Sequence, residues 1–136
     1  AEEKFEIDYN SEVIKNIDLI NSLFEGDIFK IFENLKNNQS DFAKKTFETL
    51  NKKCPMSLGI STKLINDAKG KSLKECLETE YQLSQNVVYR DDFDNGVNSV
   101  LVTKDHNPKW SPSKITEINI EEINKYFESH AEKLYL

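Results

Sequence analysis

The stretch from Ser72 to Trp110, SLKECLETEYQLSQNVVYRDDFDNGVNSVLVTKDHNPKW, decides the fold of this chain. Ser72 and Glu75 have the spacing of a capping box, in which each side chain accepts a hydrogen bond from the other residue's backbone N–H at a helix start. Small and apolar residues then recur every three or four positions, which gives a helix one apolar face. The members of this face are Leu73, Cys76, Leu77, Tyr81, Ser84, Val87 and Val88. We therefore expect a long helix that packs on a core.

The second half of the stretch predicts a turn, a helix and a second turn that follows the helix. Acidic and small residues over 91–96 indicate a turn between helices, and a second helix is expected from about residue 94 to residue 102. Asn107 and Pro108 predict another turn, because proline cannot continue a helix. This turn places Trp110, which we expect to close the core.

Five further helices are predicted outside this stretch. Their start signals are Asn10 or Ser11, Asp27, Ser40, Pro55 and Ile120. The residues expected to face inward are Val13, Ile17, Ile20, Leu23 and Phe24 in the first, Ile28, Ile31, Phe32 and Leu35 in the second, Phe42, Ala43, Phe47 and Leu50 in the third, Leu58, Leu64, Ile65 and Ala68 in the fourth, and Ile123, Tyr126, Phe127 and Leu134 in the last, which is expected to reach about Lys133.

These patterns predict an all-α fold. Only four glycines are present and no hairpin signal occurs, so nothing argues for a sheet. We expect residues 1–10 to form an extended arm and residues 11–136 to form a single domain of about six or seven helices.

Charge and hydropathy exclude two classes of function. The 18 Lys and Arg residues against 24 Asp and Glu residues give a net charge of −6, and the four lysines within residues 44–53 are interrupted by Glu48. Nucleic-acid-binding proteins usually carry a clustered basic surface. No apolar run approaches the roughly 20 residues that a membrane-spanning helix needs. We therefore expect no direct nucleic-acid binding and no membrane insertion.

The cysteines indicate the redox compartment, and the N-terminal residues indicate how the chain begins. Cys54 and Cys76 lack the paired spacing of a disulfide framework, which favours free thiols in a reducing compartment. Met56 is the only methionine, so we do not expect Ala1 to be a natural translation start, and we expect sequence upstream of it. Residues 1–10 are acidic, unlike a targeting peptide.

No metal site or cofactor site is predicted. Aligning Gly96 with the glycine of a calcium-binding EF-hand loop puts Phe93 at a ligand position and Val102 where the bidentate glutamate belongs. His106 and His130 are the only histidines, and both are expected at the surface without partners at metal-ligand spacing. Glycine-rich phosphate motifs are also lacking.

No catalytic residue is predicted either. No serine stands in a G-x-S-x-G context, and no nucleophile and base recur together. The carboxylates spaced four apart, such as Glu117 and Glu121, have the ordinary spacing of a solvated helix face. By themselves, the residues describe a helical module without a catalytic centre.

The chain from Cys54 to Trp110 resembles the C-terminal part of the 3-hydroxyisobutyryl-CoA hydrolases, thioesterases of the crotonase superfamily. The matching elements are Pro55, Ser57 and Leu58; Glu80, Tyr81, Leu83 and Ser84; Asp92, Phe93, Gly96 and Val97; and Lys104, Asp105, Pro108, Lys109 and Trp110. Their order and spacing carry the resemblance over about half the chain. The segments INSLFEGD, ENL and EEINKYFESH are similar to the neighbouring family regions.

The resemblance implies that this chain is a helical lid and docking module that lacks the crotonase core. In the family, the core lies upstream and supplies the backbone oxyanion hole and the acidic catalytic residues. The implied parent is a mitochondrial enzyme that hydrolyses a branched hydroxyacyl-CoA thioester in valine breakdown. Its partners would be its own crotonase core and the acyl-CoA substrate, and self-association is a further option.

Lys104 is the one binding residue that the resemblance implies. It stands at a position resembling a lysine that lies near the nucleotide end of CoA in related hydratases, where a cation suits phosphate. The alternative is an exposed lysine that complements the helix dipole at a C-terminus.

Two other functions stay open at the level of sequence. Homologues of the family also resemble a protein of the mitochondrial small ribosomal subunit, where the fold is a scaffold. The chain could also be an independent helical interaction module. Under the enzyme interpretation, Phe32, Phe47, Leu77, Tyr81, Val100 and Trp110 are expected to be buried within the domain or against the core.

Overall fold

The computed structural model describes residues 9–128, and this part of the chain contains helices and irregular segments without a strand. The α-helices are α1 (Glu12–Lys15), α2 (Ile17–Leu23), α3 (Ile28–Asn37), α4 (Asp41–Leu50), α5 (Pro55–Asp67), α6 (Leu73–Val87), α7 (Asp91–Val97) and α8 (Ile120–Lys125). A π-helix spans Asn98–Val102 and a 3-10 turn spans Ile115–Glu117. The predicted all-α class is therefore confirmed, with more and shorter helices than expected.

The chain divides into two compact units, Ala1–Glu48 and Thr49–Leu136. Most of the predicted arm over residues 1–10 lies outside the described residues, as do His130, Leu134 and the predicted end of the last helix. The boundary expected at residue 11 stays a prediction.

The buried residues of the first unit come mainly from α3. Asp27 begins this helix by accepting a hydrogen bond from the backbone N–H of Lys30 at 2.9 Å, as predicted for a capping residue. Its buried residues are Ile28, Ile31, Phe32 and Leu35, the predicted set. The rings of Phe32 and Phe47 meet edge to face with centroids 5.7 Å apart, a favourable arrangement for aromatic pairs.

The first predicted helix is divided into α1 and α2 at Asn16. Ser11 begins α1 as expected, accepting from the backbone N–H of Ile14. The Asn16 side chain then donates to the Glu12 carbonyl at 2.8 Å, and its backbone leaves the helical region. Asparagine side chains compete with the helix backbone in this way. The predicted buried stripe was wrong except for Leu23, since Val13, Ile17 and Phe24 are exposed and Ile20 is half-buried.

In the second unit, α5 and α8 approach each other closely. Pro55 occupies the first turn of α5, and Gly70, with φ +82°, follows its end. A Cβ placed on Gly59 would lie 2.5 Å from Ile123 Cδ1, so only glycine allows this packing. This close approach accounts for a glycine inside α5.

The capping box of α6 is also confirmed, but its predicted apolar face is not buried within the described part of the chain. The Ser72 hydroxyl accepts from the Glu75 N–H, and the Ser72 N–H donates to Glu75 at 2.8 Å. Leu83 is the buried residue of α6, whereas Leu73 and Leu77 are exposed. Ile65 of α5 is exposed as well, so its predicted inward contact was wrong; Met56 and Ile60 are buried on that helix instead.

Two boundaries and one helix type differ from the prediction. The acidic residues 91–96 are helical, because α7 begins at Asp91, where carboxylates in the first turn complement the helix dipole. The helix then widens into a π-helix, closed by a bond from Thr103 N–H to the Asn98 carbonyl. Finally, α8 ends at Lys125, well short of Lys133.

Candidate functional site

Residues 103–111, which we call the return segment, run back along α7 and the π-helix. The backbone N–H of His106 donates to the Ser99 carbonyl at 3.1 Å. Farther along, the side-chain amide of Asn95 donates to the Lys109 carbonyl at 3.0 Å. The bonded residues Ser99 and His106 are closer in sequence than the bonded residues Asn95 and Lys109. The return segment is therefore antiparallel to the helix it follows, with its tip near residue 104.

Trp110 is held at the base of the return segment. Its indole N–H donates to the Lys52 carbonyl at 3.1 Å, and its six-membered ring lies against Gly96, where an added Cβ would stand 3.3 Å from it. The ring is half-buried within this chain, as is Phe47, whereas Phe32 is buried. Gly96 belongs to the sequence motif that begins at Asp92, and Trp110 ends the motif that begins at Lys104. The structure shows that these two motifs pack on each other.

Lys104 lies at the tip of the return segment and is exposed. Its φ of +57° places it in the left-handed region just after the π-helix, a position where glycine is common. His106 has φ +53° and is exposed as expected. Between them, the Asp105 carboxylate accepts from the Asn107 N–H at 2.9 Å. The tip therefore presents a lysine and a histidine from an unusual backbone conformation.

Arg90, the only arginine in the sequence, holds the base of the same segment. Its guanidinium donates to Asp92 Oδ2 at 3.0 Å, to Glu122 at 2.7 Å and to the Tyr126 hydroxyl at 2.6 Å. It also donates to the Ser111 carbonyl at 2.8 Å. Burial alone would lower the pKa of Arg90, but the hydrogen bonds to Tyr126, Glu122 and Asp92 outweigh it and raise the pKa. The guanidinium therefore stays charged.

Asp92 is the buried acidic member of this network. Its side chain is 6% exposed, and its second oxygen, Oδ1, accepts from the Ser111 N–H at 2.7 Å. The sequence analysis did not identify this cluster. An isolated arginine two residues before an aspartate was the available signal, but Ser111, Glu122 and Tyr126 lie 21 to 36 residues farther along the chain.

Beside this network, the end of α6 and the start of α7 form an open cavity of about 750 Å³. Its lining residues are Ser84, Gln85, Val87, Val88, Tyr89 and Phe93. Tyr89 is 86% exposed, and Phe93 and Val88 are exposed too. Farther along, the π-helix exposes Val100, Leu101 and Val102. This part of the unit offers apolar surface for binding rather than polar groups for catalysis.

The described residues contain no metal centre. Between residues 9 and 128, no group of three His, Cys, Asp or Glu side chains is placed to hold a metal ion. Cys54 is buried and Cys76 is half-buried, and both are free thiols. Over the same residues, no helix is both long and apolar enough to cross a membrane.

Comparisons of sequence connect the chain with acyl-CoA enzymes. Residues 1–127 match the family model described as Enoyl-CoA hydratase/isomerase. The chain is 36% identical over 130 residues to the mitochondrial 3-hydroxyisobutyryl-CoA hydrolase of Homo sapiens, an alignment that covers 95% of this chain and 34% of that protein. The corresponding Xenopus laevis protein is 40% identical over 116 residues, which cover 85% and 30%. The chain thus spans about a third of the length of these curated relatives.

Two solved structures share the fold. A carnitinyl-CoA dehydratase from Mycobacterium thermoresistibile aligns with a TM-score of 0.85 at 23% identity, covering 96% of this chain and 38% of that one. An enoyl-CoA hydratase from Rhodobacter sphaeroides aligns with a TM-score of 0.82 at 19% identity, covering 91% and 37%. With the sequence relationships above, these matches confirm the resemblance inferred from the motifs. The chain belongs to the enoyl-CoA hydratase/isomerase family.

Proposed function

We propose that this chain is the C-terminal helical part of an acyl-CoA thioester hydrolase that acts on 3-hydroxyisobutyryl-CoA. The observation that carries the proposal is the 36% identity over 130 residues with the human enzyme of that name. The catalytic residues would lie in the remaining two-thirds of the protein. The mitochondrial names of the relatives support a mitochondrial location, and the substrate would place the reaction in valine breakdown.

In this proposal, the second unit docks on the crotonase core of the same protein and covers the acyl-CoA site. The support is its exposed apolar surface: Leu73, Leu77, Tyr89, Leu101 and Val102 all face solvent in this chain. Soluble proteins rarely leave extended apolar surface uncovered. The rest of the parent is the proposed occupant, because the chain aligns with only 37–38% of the two solved relatives. Leu77, Tyr81 and Val100 would then be covered by the core.

Lys104 would bind a phosphate at the nucleotide end of CoA. It is exposed at the tip of the return segment, and a lysine ammonium interacts with phosphate as a point charge. Its position just after a helix end also allows the alternative role of complementing the helix dipole. A binding role predicts a loss of CoA affinity in Lys104→Ala, whereas the dipole role predicts a small loss of stability with unchanged affinity.

The test is thioester cleavage by the parent protein. Purified parent should release free CoA from 3-hydroxyisobutyryl-CoA, and removal of residues 11–136 should abolish this release. Lys104→Ala should raise KM by roughly twofold to fivefold, the range for one exposed ion pair, while the exposed control Lys69→Ala should leave KM unchanged. A folded, intact parent that does not cleave the thioester would contradict the proposal.

A ribosomal scaffold is the competing function. None of the relatives described above supports it, since each is named as an enzyme. Co-sedimentation of an inactive parent with small ribosomal subunits would favour the scaffold over the hydrolase.

A further inference from the structure

The backbone of Ser111 is held at both of its polar groups by one buried ion pair. Asp92 Oδ1 accepts from the Ser111 N–H at 2.7 Å, and Arg90 donates to the Ser111 carbonyl at 2.8 Å. The two side chains are themselves joined at 3.0 Å, with Arg90 16% and Asp92 6% exposed. Burying such charges is costly unless every group is paired, so this arrangement demands one definite position for Ser111.

The other end of the return segment is also fastened. Thr103 N–H donates to the Asn98 carbonyl at 2.9 Å, and His106 N–H donates to the Ser99 carbonyl at 3.1 Å. Lys104 therefore lies in a short segment whose two ends are both fixed to the helix. Its side chain has little freedom to change direction through backbone motion.

Lys104 and His106 adopt a conformation that the chain would not choose locally. A left-handed conformation at a residue other than glycine costs about 1 kcal/mol or more, and it persists only where the surroundings impose it. The bonds to Asn98 and Ser99 flank Lys104 directly, and the bonds at Lys109 and Ser111 hold the other end of the segment.

We propose that Asp92 is a positioning residue that, with Arg90, fixes Ser111 and thereby holds the Lys104 ammonium where a CoA phosphate binds. This inference rests on the proposed function, and it adds a role for two residues that do not touch the ligand.

The experiment is a double-mutant cycle for CoA binding by the parent protein, measured by calorimetry. Asp92→Ala and Lys104→Ala should each weaken CoA binding by roughly twofold to fivefold. The double variant should bind no more weakly than Lys104→Ala, because Asp92 acts only through Lys104. Asp92→Asn should recover part of the affinity, since its carbonyl can still accept from the Ser111 N–H.

Two controls separate positioning from general destabilisation. Ile123→Val shortens a buried side chain in the same unit, and it should lower stability without changing CoA affinity. Asn95→Ala removes the single bond to the Lys109 carbonyl and serves as a milder probe if Asp92→Ala does not fold; it should weaken CoA binding less than Lys104→Ala and add nothing to it.

Additive losses in the double variant, or an equal loss of affinity in Ile123→Val, would overturn the positioning role. The double-mutant cycle measures CoA binding and does not require catalysis, so it tests the positioning role separately from the proposed thioester hydrolysis. If the parent binds CoA with the expected coupling but cleaves no thioester, the proposed function fails and the positioning role stands. If the parent cleaves the thioester but Asp92→Ala leaves CoA affinity unchanged, the positioning role fails alone.

Discussion

Gly59 on α5 lies directly against Ile123 on α8, and a Cβ at Gly59 would stand 2.5 Å from Ile123 Cδ1. The isoleucine is 2% exposed, so it has no free space into which to move. Because glycine in a helix is normally less favourable than alanine, this contact explains why α5 contains one.

Gly59→Ala should therefore destabilise the protein by about 1–3 kcal/mol, the usual cost of overpacking a buried site, despite the better helix propensity of alanine. Chemical denaturation of the protein provides the measurement. Ser61→Ala, at an exposed position of the same helix, should be neutral within about 0.5 kcal/mol.

The double variant Gly59→Ala, Ile123→Val provides the internal check. Valine lacks the Cδ1 atom that collides, so stability should recover in part relative to Gly59→Ala. A double variant whose loss equals the sum of the two single losses would show that the close contact is not the cause.

Removal of Arg90 should be strongly destabilising, because Asp92 would remain buried without its partner. We expect Arg90→Ala to cost about 3 kcal/mol, within the range for breaking a buried pair and discounted at Glu122, which is about half-exposed. Thermal and chemical unfolding provide the measurement. Lys30→Ala breaks an exposed pair with Glu33 and should cost less than 1 kcal/mol. Equal losses in the two variants would contradict the importance of burial.

The capping box of α6 should contribute to acid sensitivity. Hydrogen bonds from the Ser72 hydroxyl and backbone N–H lower the pKa of Glu75 below its ordinary value. The folded state therefore favours the carboxylate, so this contribution is complete above the unfolded-state pKa of about 4.3 and disappears as the pH falls through the lower folded-state pKa.

Unfolding measured from pH 7 down to pH 3 tests this effect. Glu75→Gln should be less stable than the unchanged protein at pH 7, and the difference should shrink as the pH falls below about 4.3. Glu80→Gln, at an exposed position without a described partner on the same helix, should show no such pH-dependent difference. A constant difference for Glu75→Gln over the whole range would be the contrary result.

If the second unit docks on the core, apolar residues that are exposed in this chain should be covered in the parent protein. Leu73 is 75% exposed here, yet Leu73→Asp should release the second unit from the core and increase proteolysis of α6 and α7 in the parent. Lys69→Asp changes an exposed polar position close by and should leave the digestion pattern unchanged. If both variants resist proteolysis equally, the core does not cover Leu73.

Local signals in the sequence were sufficient for much of the secondary structure. Asp27, Ser72 and Pro55 mark helix starts through bonds or backbone angles within a few residues, and the structure places them as predicted. The buried set of α3 followed from its spacing for the same reason. These features depend on short-range geometry, so one sequence is enough to predict them.

The errors arose where spacing alone was used to infer burial. A regular apolar face predicts that something covers it, but not that the cover lies in the same chain, and so Val13, Ile17 and Phe24 were expected to be buried yet are exposed here. Leu77 and Val100 are exposed in this chain too, and their burial against the core stays a prediction. The break at Asn16 depends on competition between side-chain and backbone hydrogen bonds. The early start of α7 depends on acidic residues in its first turn. The spacing of apolar residues predicts neither feature.

The sequence by itself determined the all-α class, most helix starts and, through its motifs, the family. Only the tertiary structure decided that Asp92 and Arg90 jointly hold Ser111, that Trp110 packs on Gly96, and that Lys104 lies in a left-handed conformation at the tip of a fastened segment. The physical reason is distance along the chain: the contacts of Ser111 and Trp110 join residues 14 to 21 positions apart, and the tip is fastened only once the return segment has folded against α7 and the π-helix.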